Sequence, residues 1–340
     1  MLRYFCCSLI PLFIILSAAA SSSPATWHDF TRLLHADKGN HVTGIGQLKE
    51  YFHRFGYLKK DINFTDVFDK ELQSAVFRYQ ENLGIPVTGE LDSTTIKTII
   101  SPRCGVSDKI HRKHNSVNTT SRFAYFSGQP RWKRKPPMLL TYSFSTNNTI
   151  NYLSQEEIES TFDRAFKRWS AVIPVTFELS ESYRSADIKI GFYSGDHGDG
   201  VPFDGVLGIL GHAFSPEGGK LHLDKAETWA IDFKKIKSKV AVDLESVVTH
   251  EIGHVLGLAH SSVPDSVMYP SLSPRTKKTA LKVDDVEGVQ SLYGSNPNFS
   301  FSSLLESENS SNKATRMTTQ LATRCWSCLL GFLLLLLVLY

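Results

Sequence analysis

Eleven residues, His250-Glu251-Ile252-Gly253-His254-Val255-Leu256-Gly257-Leu258-Ala259-His260, constrain this chain more than any other stretch. His250 and His254 stand four apart, so on a helix both imidazoles leave from one face. Asp243 can cap that helix, and Leu244, Val247, Val248, Val255 and Leu256 supply its apolar positions. Gly257 can take the left-handed conformation that ends a helix, and the turn brings His260 back towards the other two. Three neutral imidazoles suit Zn²⁺ and leave one tetrahedral position open. Glu251 is not needed for coordination, and a carboxylate there can accept a proton from water whose pKa zinc lowers to about 7. Incidental histidines on a buried helix would match these fixed positions by chance on the order of once in ten thousand.

Composition narrows the class further. The chain has 340 residues, 41% hydrophobic and 21% charged, with a formal charge of +3. That is enough for one or two domains with proper cores, and the balance is too even for a nucleic-acid binder. Cys6 and Cys7 fall in an N-terminal apolar run, Cys325 and Cys328 beside a C-terminal one, and only Cys104 lies in the body. A disulfide framework is thereby excluded.

Both ends read as addresses. Met1–Ala20 has Arg3, an apolar run from Leu9 to Leu16 and small residues at 18–20, the pattern of a cleaved secretory signal. Asn309-Ser310-Ser311-Asn312, a polar spacer and an apolar tail to Tyr340 form the pattern of a glycosylphosphatidylinositol signal, with Ser310 as candidate attachment residue and residues 313–340 removed. Secretion makes the sequons at Asn63, Asn118, Asn147, Asn298 and Asn309 relevant. The expected location is the outer leaflet of the plasma membrane, reached through the secretory pathway.

Between the addresses lie two folded units. Leu48, Tyr51, Phe52 and Phe55, then Leu72, Val76, Phe77, Tyr79 and Leu83, recur at helical spacing within residues 41–100. Residues 105–137 are polar, basic and proline-bearing, and read as a cleavable linker. From Leu139 a larger α+β unit begins, with strands at 139–144, 175–179 and 187–192 and an amphipathic helix at 156–170. Residues 295–312, rich in Ser and Asn, read as a stalk.

The extended histidine motif followed by a methionine turn is the metzincin signature, and Met268 stands in Ser-Val-Met-Tyr-Pro-Ser. Pro102-Arg103-Cys104-Gly105-Val106-Ser107-Asp108 then makes the likeness specific, because the chain resembles a matrix metalloproteinase zymogen from its propeptide to Gly294. The resemblance implies a signal peptide at 1–20, a propeptide at 21–122 with a small all-α peptidoglycan-binding-like fold, and a catalytic domain at 123–294. That domain is implied to be a twisted mixed sheet with three helices. It further implies that Cys104 occupies the fourth zinc position before activation, with Arg103 and Asp108 paired to shape the loop. His197, Asp199, His212 and His222 match the family's structural zinc site, and Asp204, Asp224 and Glu227 its loop calcium. Lys220 stands where a second calcium site has an aspartate, so that site is not expected, and Lys220 could pair with Asp187. Leu210 and Gly211 would line the substrate groove, with Ser246 and Pro270 walling a pocket open enough for Leu. Cleavage before Phe123 would give an amino terminus able to pair with Asp284. Short, lipid-tailed forms without a propeller domain are similar to plant members. The implied partners are extracellular protein or peptide substrates and an activating protease. A non-catalytic polysaccharide-binding surface protein is the rival reading, and the intact Glu251 argues against it.

Overall fold

The computed structural model describes residues 27–59, 64–108, 123–302 and 304. Its N-terminal part is helical: a 3-10 turn at Trp27–Leu33 precedes α1 (Ile45–Arg54), α2 (Lys70–Asn82) and α3 (Ser93–Ile99). Asp69 accepts from the Leu72 amide and Asp92 from the Thr95 amide, satisfying donors that a helix start leaves open. Phe30, Leu33, Leu48, Phe52, Phe55 and Tyr79 share one core. Two details depart from expectation. Phe77 is 40% exposed, because the inward stripe of α2 runs through Leu72, Ala75, Val76 and Tyr79. The unit also begins before residue 41, since Phe30 and Leu33 of the 3-10 turn complete its core.

The second part is a mixed sheet with three helices, an α+β fold. β1 (Arg103–Cys104) leaves the helical part and joins β2 (Met138–Phe144), β3 (Val175–Leu179), β4 (Ile188–Tyr193), β5 (Ile209–Ala213) and β6 (Lys220–Asp224) in the order β1-β5-β6-β4-β2-β3. Every pair is parallel except β5 with β6. A short pair follows, β7 (Trp229–Ala230) with β8 (Val242–Asp243). α4 (Gln155–Ser170) starts from a capping box of Ser154 and Glu157 and turns Ile158, Phe162, Ala165, Phe166 and Trp169 inward. α5 (Leu244–Val255) is buried along its whole length, and α6 (Val283–Tyr293) closes the far side.

The structure corrects two further expectations. Asp187 pairs with Arg134 at 3.0 Å, whereas the Lys220 ammonium lies over the Phe214 ring. Arg134 comes from the segment just before β2, and its planar guanidinium also reaches Glu217 at 3.0 Å. Residues 295–302 do not leave the domain as a stalk. Asn296 bonds the Val172 and Ser170 carbonyls, and Phe299 and Phe301 pack on the core.

Among the described residues no helix is long and apolar enough to cross a membrane. Met1–Ala20, residues 313–340, Asn63, Asn118, Asn309 and Ser310 lie outside the described residues, while Asn147 and Asn298 are exposed.

Candidate active site

α5 begins where Asp243 accepts from the Ser246 amide at 2.9 Å, and this start sets which face carries the histidines. His250 Nδ1 lies 2.7 Å from the Val267 carbonyl oxygen and His254 Nδ1 lies 2.8 Å from that of Leu258. A carbonyl only accepts, so each Nδ1 donates and each Nε2 keeps its lone pair. Gly257 has φ of 106°, and a Cβ there would stand 2.2 Å from the Pro130 carbonyl oxygen. Only glycine makes that turn, which returns His260 with its Nε2 3.2 Å from that of His254.

Cys104 reaches the same point from β1. Its Sγ lies 3.4 Å from His254 Nε2. Ligands sharing one tetrahedral zinc stand about 3.3–3.6 Å apart, from Zn–N of about 2.0–2.1 Å and Zn–S of about 2.3 Å. Cys104, His250, His254 and His260 are thus spaced as a closed four-ligand set. Burial holds His250 and His254 well below the ordinary imidazole range, so both are neutral and ready to ligate. Burial, then the Glu251 charge, pushes the Cys104 thiol well up, a cost that a cation in the site would reverse. His250 Nε2 and both Glu251 carboxylate oxygens are buried with no hydrogen-bond partner, and burial pushes Glu251 up to about 8. A metal would satisfy His250 Nε2, which the protein alone leaves without a partner.

The strand that brings Cys104 also fills the groove. The Arg103 amide donates to the Gly208 carbonyl, Cys104 to Pro270 and Gly105 to Gly211, while the Leu272 amide donates to Pro102. Arg103 Nη2 lies 2.6 Å from Asp108 Oδ1, and both side chains are buried. Asp108 also sits 2.6 Å from His260 Nδ1 and accepts from the Tyr57 hydroxyl at 2.9 Å. Burial would raise its carboxyl, but the Arg103 charge and the His260 contact hold it down at about 2.

A second set converges on Asp199. Its Oδ2 lies 2.9 Å from His197 Nε2, 2.7 Å from His212 Nε2 and 2.8 Å from His222 Nδ1. Three nitrogens and one carboxylate oxygen suit closed, structural zinc, and burial keeps His212 and His222 down at about 4. Beside this set, Asp204, Asp224 and Glu227 accept from the amides of Ile209, Gly205 and Leu207. Burial, with mutual repulsion, pushes Asp224 up to about 6 and Glu227 up to about 8, and Glu227 Oε2 has no partner. Three clustered carboxylates, with only Arg54 acting on Asp204 as a nearby cation, suit Ca²⁺, a hard ion bound through oxygen.

Sequence comparison places this geometry in a family. Residues 131–294 match the Matrixin profile, and residues 42–99 match a putative peptidoglycan binding domain. Metalloendoproteinase 1-MMP of Arabidopsis thaliana is 55% identical over 296 residues, covering 86% of this chain and 80% of that protein. The chain belongs to the matrixin family. Metalloendoproteinase 1 of Glycine max is 44% identical, over 76% of this chain and 85% of its own length. Interstitial collagenase A of Mus musculus is 35% identical, over 85% of this chain but 56% of its own length. The protein is therefore a zinc metalloendopeptidase of plant type, using catalytic and structural zinc and calcium.

The matrixin site rests on residues the motif does not contain. Met268 lies directly beneath α5, where a Cβ at Gly253 would stand 2.2 Å from its sulfur, so glycine there lets the helix approach the turn without displacing the Met268 side chain. Asp285 holds that turn: Ser266 donates to it through its hydroxyl, and Val267, Met268 and Lys282 through their amides. The sequence points instead to the neighbouring Asp284, whose Oδ2 accepts from Ser261 Oγ at 2.6 Å. The signal available was the pair of acids in the first turn of α6. Phe123 and Tyr125 already lie along α6 at Gly288, with the Tyr125 hydroxyl donating to its carbonyl at 2.9 Å.

A narrow cavity opens beside Glu251, bordered by Leu210, Ser246, Val247, Tyr269 and Pro270. Gly211, one residue on in β5, gives its carbonyl to the strand of Cys104, and a Cβ on it would stand 3.4 Å from Glu251 Oε1. Ser246 is not an open wall. Its hydroxyl donates to Asp243 at 2.6 Å and accepts from the Lys278 amide at 2.7 Å. Lys278, which no sequence pattern marks, also lines this cavity.

Proposed function

We propose that this matrixin is made as a latent, secreted zymogen and hydrolyses extracellular proteins once its N-terminal domain is removed. The observation that carries this is the Cys104 sulfur standing among the three histidines, on a strand that uses the groove's backbone partners. His250, His254 and His260 hold the catalytic ion, and Cys104 completes the shell until it is withdrawn. Zinc, when bound, supplies a Lewis acid for water and for the scissile carbonyl. A substrate then pairs with β5 and the 270–272 segment in place of Arg103–Gly105. Glu251, unpartnered and facing the vacated position, takes the proton from the attacking water and returns it to the departing amine. His197, Asp199, His212 and His222 hold the structural ion, and Asp204, Asp224 and Glu227 hold calcium, which together fix the loop leading into β5.

The addresses add a location. A signal peptide ending near Ala20 and a lipid attached near Ser310 would place the enzyme on the outer face of the plasma membrane. Release from membranes by a phosphatidylinositol-specific phospholipase tests the lipid, and a protein left in the membrane fraction argues for a retained anchor.

The function itself is tested by trimming wild type and Glu251→Ala with trypsin and offering a quenched peptide with Leu after the scissile bond. Wild type should become active and be silenced by a zinc chelator, while Glu251→Ala falls by at least about a hundredfold, the scale of a lost general base. Correctly folded, zinc-loaded wild type that stays inert would move a polysaccharide-binding role to the front.

A further inference from the structure

The cavity beside Glu251 has a largely apolar lining in which Lys278 and Ser271 also stand. Leu210, Val247, Val267 and Leu272 supply the sides. Lys278, half-buried, is shared between this cavity and a wider outer groove that also touches Tyr269, Ser271 and Leu272. Its backbone is pinned there by the bond from its amide to Ser246 Oγ. Its ammonium donates to the Pro264 carbonyl at 3.0 Å and the Ser271 carbonyl at 3.4 Å, and lies 5.0 Å from the Tyr269 ring. No carboxylate among the described residues pairs with it; Asp265 and Asp285 act on it only through space. Beside it the buried Ser271 hydroxyl has no hydrogen-bond partner.

A cation and an idle hydroxyl among the lining of an apolar pocket call for an acceptor. We propose that Lys278 and Ser271 make this enzyme accept, after the scissile bond, not only aliphatic side chains but those ending in an oxygen acceptor, Gln and Glu, while rejecting Lys. The inference rests on the endopeptidase reading and deepens it. Leu gains from the apolar sides alone. A Gln or Glu keeps its methylenes against the same sides and gives its terminal oxygen to the ammonium, a charge-assisted bond that an uncharged pocket lining cannot offer. A lysine side chain meets like charge at the same place.

The test uses zinc-loaded protein activated by removal of the N-terminal domain. Peptides identical except for Leu, Ala, Gln, Glu or Lys after the scissile bond are compared for wild type, Lys278→Met and Lys278→Arg. Wild type should cleave Gln and Glu about tenfold faster in kcat/KM than Lys, the size of one charge-assisted bond. Lys278→Met should lower Gln and Glu relative to Leu by about the same factor and relieve the bar against Lys, whereas Lys278→Arg keeps the wild-type order. Should Lys278→Met lose Leu cleavage as well, the wild-type series and Lys278→Arg still decide. Gln and Glu cleaved no better than Lys, or ratios unmoved in Lys278→Met, would overturn the proposal. Failure on the Leu peptide in wild type would instead strike the endopeptidase reading beneath it.

Discussion

Asp285 shows how much of a metal site is set by a residue that never nears the metal. It takes four donors: the Ser266 hydroxyl and the amides of Val267, Met268 and Lys282. Val267 in turn gives its carbonyl to His250 Nδ1, so the carboxylate, the turn and the ligand form one chain of bonds. Asp285→Ala would strand buried donors, at roughly 2–4 kcal/mol. Urea unfolding and zinc retention should both show the loss, and a variant as stable and metal-tight as wild type would remove Asp285 from this account. Individual ligands were legible because their spacing repeats a helical turn and their chemistry is rare at random. Asp285 and Lys278 were not, because an acid in a first helical turn or a lysine in a loop is ordinary until tertiary packing puts it beside something.

Elements were legible where one rule acted alone. The periodicity of α4 and the cap at Asp243 are local facts, and the structure carries both. The inward stripe of α2 was misread at Phe77 because helical spacing permits adjacent choices, and only the neighbouring helices decide between them. α4 and α5 are joined by an ion cluster invisible to any pattern: Glu245 lies 3.0 Å from Arg164 Nη2 and 2.5 Å from Arg168 Nη2. Burial raises the Glu245 carboxyl, but the Arg164 bond and the Arg168 charge outweigh it, so its folded value is lowered. A lowered carboxylate stabilises the fold above its unfolded value, 4.5, and loses that contribution as pH falls below it through the folded value. Glu245→Gln should therefore cost about 1 kcal/mol at pH 7, less than a fully buried pair because Arg164 is part-exposed. The gap from wild type should narrow as unfolding is followed below pH 4.5. A gap that holds constant across that range would mean that packing, not charge, joins the two helices.

The whole molecule is two cores that meet at the metal loop. Phe203 and Ile209 belong by sequence to the sheet domain yet pack into the helical domain's cluster. Arg54 of α1 donates to the Pro202 carbonyl at 2.5 Å, Phe55 lies under the Arg103 guanidinium at 3.7 Å, and Tyr57 donates to Asp108. The helical domain thus braces the loop that carries Cys104 from behind, while β1 holds it from the side. Sequence could place the switch motif and name its target, but this bracing runs between residues some 50 to 150 positions apart and leaves no local trace. Under the proposed latency, a single sulfur keeps the site closed. This closure is tested by offering a Leu peptide to unprocessed wild type, Cys104→Ser and Cys104→Ser combined with Glu251→Ala. Cleavage by intact Cys104→Ser alone, with the other two silent, is the predicted result. An intact Cys104→Ser that stays as silent as wild type until its N-terminal domain is cut away would contradict it, and would give the closure to the strand rather than to the sulfur.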